Sequence, residues 1–147
     1  MKFSLFKPLA AVALAALTLT PARAEDPKSL VTILTSEEPQ TQLMSMVLTM
    51  QALQQGATTY TLLCGPAGDL ALRDAPASAT APQKPKGMSP QGLMQKILEA
   101  GGTVELCAIY LPNKGVDATA LLEGINSAKP PEMAARLLAD DTRIMSF

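Results

Sequence analysis

The chain has 147 residues, with 12 basic and 13 acidic side chains, no histidine, no tryptophan and only 3% aromatic residues. Without an imidazole, zinc hydrolases, Ser-His-Asp triads and Cys-His proteases are excluded, because each needs that ring as ligand or base. Scarce aromatic rings disfavour sugar- or base-stacking platforms, which leaves chemistry that a thiol, a carboxylate, a lysine or a backbone amide performs without a cofactor.

Residues 1–24 read as an export leader. Lys2 and Lys7 form a basic start, Leu9–Leu19 an Ala/Leu-rich core, and Ala22-Arg23-Ala24 a small-x-small cleavage site. The apolar core is shorter than the roughly 20 residues that span a bilayer. Removing 24 of 147 residues leaves a mature chain of 123, from Glu25 to Phe147, the length of one domain with one core. Nine basic residues then face 13 acids, a formal charge of −4, which disfavours nucleic acid or anionic membrane as a partner. The expected product is exported, periplasmic in a Gram-negative cell, and free of the membrane after cleavage.

Leu30–Thr35 is a compact β-branched run, and Ser36-Glu37-Glu38-Pro39 after it is a helix-start signal. Gln40–Gln55 places Leu43, Met46, Val47, Met50 and Leu53 at helical spacing, with Gly56 as the stop, and reads as an amphipathic helix. Thr58–Cys64 is a second strand, ended by the turn signal Gly65-Pro66, with a helical turn at Gly68–Arg73. From Pro76 to Pro90 proline, alanine and lysine recur with no apolar period, so a mobile loop is expected.

Ser89-Pro90 then reads as an N-cap with proline in the first helical position; Leu93, Met94, Ile97 and Leu98 form the buried stripe, and Gly101-Gly102 stops the helix. Thr103–Leu111 (TVELCAIYL) is an apolar run containing Cys107, closed by a polar turn at Asn113-Lys114-Gly115. Beyond it the reading is a short helix over Ala118–Glu123 capped by Asp117, a short strand at Ile125–Ala128, a helix at Pro131–Ala139 and a final strand at Thr142–Phe147. Five strands alternating with four helices give a three-layer α/β/α sandwich around a five-stranded, mainly parallel sheet.

Cys107 is the best candidate for chemistry, since open α/β sheets present reactive groups at the carboxyl ends of their strands. A cysteine within an apolar run is also a good small core residue. Methionines 44, 46 and 50 invite a soft-metal reading, but residues 46 and 50 share a helix face while 44 does not, and packing is the expectation. Gly65-Pro66-Ala67-Gly68 lacks the residues of a phosphate-binding loop and reads as a turn.

The run Met88-Ser89-Pro90, Leu93-Met94, Ile97-Leu98-Glu99-Ala100-Gly101-Gly102-Thr103-Val104-Glu105-Leu106-Cys107, followed by Lys114-Gly115-Val116, Leu122-Glu123-Gly124-Ile125 and Ile144-Met145-Ser146-Phe147, resembles the DsrE/DsrF-like family. The likeness spans essentially the whole chain after the leader. It implies a five-stranded parallel sandwich that assembles into homo- or hetero-oligomers, often trimers or hexamers. It also implies a sulfur-relay role for some members, with sulfane sulfur held as a persulfide on a cysteine at the end of the third strand, a position that Cys107 matches. Sulfur donor or acceptor proteins are the implied partners. Other members are oligomeric proteins with no known activity, so a non-catalytic binding module with a structural Cys107 is the alternative.

To accept sulfane sulfur a thiol must ionise, and an ordinary one, with a pKa of about 8.5, is mostly protonated at neutral pH. Lys114, the amides of the turn Pro112–Val116 and the amino end of the helix after it are the expected sources of positive potential. Cys64 ends the second strand, which the resemblance makes a neighbour of the third. A structural disulfide, a reversible redox or persulfide-resolving pair, and two separate thiols all remain open, because bridging depends on geometry that spacing does not give. The chain has no CxxC motif.

Overall fold

A computed structural model describes residues 28–147. The expected leader, 1–24, and the mature start at Glu25 lie outside the described residues. The chain runs through β1 (Ser29–Leu34), α1 (Pro39–Gln54), β2 (Thr58–Leu63), a 3-10 segment (Gly65–Ala71), α2 (Ala77–Thr80), α3 (Pro90–Glu99), β3 (Thr103–Leu106), α4 (Tyr110–Lys114), a 3-10 turn (Ala118–Ala120), β4 (Asn126–Ser127), α5 (Pro130–Leu137) and β5 (Thr142–Ser146). The strands form one sheet, ordered β4-β3-β2-β1-β5, and every pairing is parallel. No helix among the described residues is long and apolar enough to cross a membrane.

The expected sandwich is therefore present, with helices on both faces of the sheet. On one face Leu34, Leu63, Val104 and Leu106 meet Met46 of α1 and Met94 and Ile97 of α3 in the main core. On the other, Val31 meets Ala128 and Met133, with Ile33, Tyr60 and Leu62 packed alongside. There Arg136 of α5 lies 4.4 Å from the centroid of the Tyr60 ring and pairs with Glu105 of β3, anchoring the helix to the sheet.

Cap chemistry sets the starts of the two long helices. The Glu38 carboxylate accepts from the amides of Gln40 (3.0 Å) and Thr41 (2.6 Å), and these bonds hold its carboxyl below the ordinary carboxylate range. Ser89 accepts from the amide of Gly92 at 3.1 Å, as the Ser-Pro signal predicts. At the Gly-Gly break the two glycines serve different ends. Gly101 adopts φ +92°, whereas a Cβ on Gly102 would stand 2.5 Å from Ile97 and 2.8 Å from Thr59, so strand and helix close without a side chain between them.

The structure differs from the sequence reading in four places. The face of α1 buried on the sheet is Gln42, Ser45, Met46 and Thr49, of which the expected apolar stripe supplied only Met46. The floor beneath is polar too, with Thr32, Thr59 and Thr61 buried, and the Thr32 and Thr49 hydroxyls hydrogen-bond at 2.8 Å. Second, the segment 76–90, expected as a mobile loop, contains α2 and a tight hairpin in which Gln83 and Met88 bridge. Third, the third strand ends at Leu106 with Cys107 just past its carboxyl end, but the rest of the apolar run turns into α4, whose end stands where the polar turn was expected and is closed by Gly115 at φ +75°. Fourth, the helix expected over 118–123 is a single 3-10 turn, capped by Asp117 as expected.

Candidate functional site

Parallel pairing brings the ends of β2 and β3 level, with Leu63 opposite Leu106. The ladder continues one residue further, because the Cys107 amide donates to the Leu63 carbonyl at 2.8 Å, while the Cys64 amide donates to Leu34 at 2.9 Å. Cys64 and Cys107 are thus the next pair beyond the strand ends, both half-buried free thiols lining one cleft. Burial first, then the neighbouring Cys107 thiol and the charge it carries when ionised, push the Cys64 thiol up to about 12. Cys64 therefore keeps its proton at neutral pH.

The thiols open onto a cleft of about 510 Å³ lined also by Gly65, Pro66, Asp69, Ile109, Tyr110, Asn113 and Lys114. The 3-10 segment after β2 supplies one wall and α4 the other. Gln91 of α3, itself buried, fixes the first wall by donating to the carbonyls of Leu70 (3.0 Å) and Leu72 (2.8 Å). The second wall starts at Cys107, whose carbonyl accepts from the Tyr110 amide at 2.9 Å.

Asp69 joins the walls. Its carboxylate accepts from the Tyr110 hydroxyl and from Lys114 Nζ, the latter at 2.7 Å. Burial alone would raise the Asp69 carboxyl, but the hydrogen bonds from Lys114 and Tyr110 and the lysine charge outweigh it and hold the group below its ordinary range. Burial, and then the bond to Asp69, push the Tyr110 hydroxyl above its ordinary range. Lys114 also stands 6.0 Å from the Tyr110 ring centroid.

All three residues singled out in the sequence, Cys107, Lys114 and Cys64, meet in this one cleft. The expected surroundings of Cys107 differ in one respect. The amides of Asn113, Gly115 and Val116 are committed to the carbonyls of Ile109 and Leu111, so the turn amides are not donors to the thiol. Asp69 and Tyr110 were missed. In sequence Tyr110 lies within the apolar run Thr103–Leu111, although Lys114 followed by Gly115 is a helix-end signal that places it on a helix. Among the described residues no group of three or more His, Cys, Asp or Glu side chains is placed to hold a metal ion.

No family model and no curated protein match the chain by sequence. Among solved structures, the ychN protein from E. coli is 19% identical with a TM-score of 0.65, the match covering 83% of this chain and 100% of that one. The protein of unknown function MTH1491 from Methanobacterium thermoautotrophicum is 17% identical with a TM-score of 0.59, covering 83% and 100%. At these identities the likeness extends to architecture alone: the chain is a three-layer α/β/α sandwich that shares the fold of these two proteins.

Proposed function

We propose that the protein carries sulfane sulfur, with Cys107 as the acceptor. The observation that supports this reading best is the pairing of two free thiols at adjacent strand ends in an open cleft. The Cys107 thiolate attacks the outer sulfur of a persulfide or polysulfide donor; a sulfur–sulfur bond forms on Cys107, the donor's own bond breaks, and the donor leaves as a thiolate. The proton held by Cys64 gives the pair a hydrogen-bond donor toward a neighbouring thiolate when one forms. Lys114, pinned by Asp69, adds the field of a fixed ammonium on the same cleft. Sulfur passes between thiols throughout, so the cycle requires no cofactor. The leader-like residues 1–24 support an exported, periplasmic setting for this exchange.

Intact mass after incubation with polysulfide tests the reading. The wild-type chain is expected to gain one sulfur atom, Cys64→Ala to gain it as well, and Cys107→Ala to gain none. No gain in any of the three sinks the proposal. A second reading, a non-catalytic oligomeric module with Cys107 structural, draws support from the packing of Cys107 against the main core and from a half-exposed apolar row on α1. In that case Cys107→Ala loses stability, and no form takes up sulfur.

A further inference from the structure

We propose that the cleft discharges its own cargo: Cys64 displaces the carried sulfur from Cys107 as hydrosulfide, and the two strand ends close into a disulfide. The inference rests on Cys107 carrying sulfane sulfur, and it adds an activity, sulfide release, that simple relay does not contain.

The argument begins with the sheet. Residues 64 and 107 follow the Leu63–Leu106 pair in a continuous parallel register. Neighbouring strands lie about 4.8 Å apart, inside the range of about 4.4–6.8 Å between Cα atoms that a disulfide spans. Both backbones are fixed there, Cys107 on Leu63 and Cys64 on Leu34, at a strand spacing that suits a bridge. Both thiols line the same cleft, at the ends of neighbouring strands. When Cys107 bears a second sulfur, that atom extends away from Sγ, and Cys64 stays beside the inner sulfur, the one whose attack expels the outer atom.

The step balances without an added co-reactant. The bond between Cys107 Sγ and the outer sulfur breaks, and a bond between Cys64 Sγ and Cys107 Sγ forms. The outer sulfur takes the electron pair and the proton of Cys64, and departs as hydrosulfide. Sulfane sulfur is reduced and the two cysteines are oxidised. Cys64 attacks as the thiolate, so its raised pKa makes the release slow at neutral pH and faster as pH rises, with the proton passing from Cys64 to the departing sulfur. A dithiol reductant, small molecule or protein, then reopens the bridge.

The experiment follows the full chain after a short exposure to polysulfide and rapid removal of excess reagent, with released sulfide and intact mass read over time. Wild-type protein is expected to release one sulfide per chain while its mass falls from one sulfur above the reduced chain to two hydrogens below it. Cys64→Ser is expected to keep the added sulfur and release none; Cys64→Ala, which removes the same thiol with a different side chain, guards against a folding defect in either variant. If wild-type protein keeps its sulfur as long as the Cys64 variants, the inference is overturned and the carrier reading stands. If neither wild type nor the Cys64 variants gain sulfur, the carrier reading fails and the release step fails with it.

Discussion

Asp69 receives two donors on a single oxygen, the Tyr110 hydroxyl and the Lys114 ammonium, and so ties a helix to the loop segment across the cleft. The lowered carboxyl has a thermodynamic consequence. A depressed folded-state pKa contributes stability above the unfolded value, near 4, and that share is lost as pH falls through the folded value. Asp69→Asn keeps an acceptor for Tyr110 but removes the ion pair, whose partners are 28% and 44% exposed; screening limits the loss to about 1 kcal/mol at neutral pH. The gap to wild type is expected to narrow at an acid pH below the lowered value of the folded carboxyl, where the wild-type group also takes up its proton. Urea midpoints at the two pH values measure this, and an equal gap at both would show that the carboxylate's charge is not what Asp69 contributes. At the other end of the scale, the raised Tyr110 hydroxyl contributes stability that is whole below its ordinary value near 10 and is lost as pH rises past it.

Between elements, the cleft depends on how closely the 3-10 segment approaches α4. A Cβ on Gly68 would fall on the Cδ2 and Cε2 atoms of the Tyr110 ring, so the walls touch with no spacer between them. Gly68→Ala is expected to push the ring off Asp69 and cost about 1–3 kcal/mol through overpacking, a fall in Tm of roughly 4 °C or more. An unchanged Tm together with unchanged tyrosine fluorescence would refute it. Long helices and strands were legible in the sequence because each carries its own punctuation: Glu38-Pro39, Ser89-Pro90, Gly101-Gly102. The start of α4 was not, since TVELCAIYL contains no breaker and a short apolar run fits a strand or a buried helix equally well. The buried face of α1 was illegible for another reason. Thr49 is buried through its bond to Thr32 on a different element, a partner that helical periodicity does not reveal. Cys107 and Cys64 were found as strand ends, but Asp69 and Tyr110, distant in sequence, meet only once the order β3-β2-β1 is set.

Over the whole molecule, the polar face of α1 lies against the sheet while an apolar row stays half open, the reverse of an ordinary amphipathic helix. Leu43, Met44, Val47 and Met50 line a groove of about 450 Å³ whose other wall is the Gln83–Met88 hairpin, and Met44 is 52% exposed. Apolar surface gathered in this way marks an interaction site more often than chance, and the resemblance seen in the sequence implies trimers or hexamers. The protein is expected to scatter light as a multiple of its chain mass, and Met44→Lys, which places a charge beside Lys84 and Lys86, to shift it toward the monomer. A single-chain mass at every concentration would rule out self-association. The variant also tests whether the thiol cleft needs assembly, because every residue of that cleft lies between Cys64 and Lys114 of one chain and Met44 is not among them. A monomeric Met44→Lys that still takes up sulfur on Cys107 makes the cleft independent of assembly; loss of uptake together with assembly makes the oligomer part of the site.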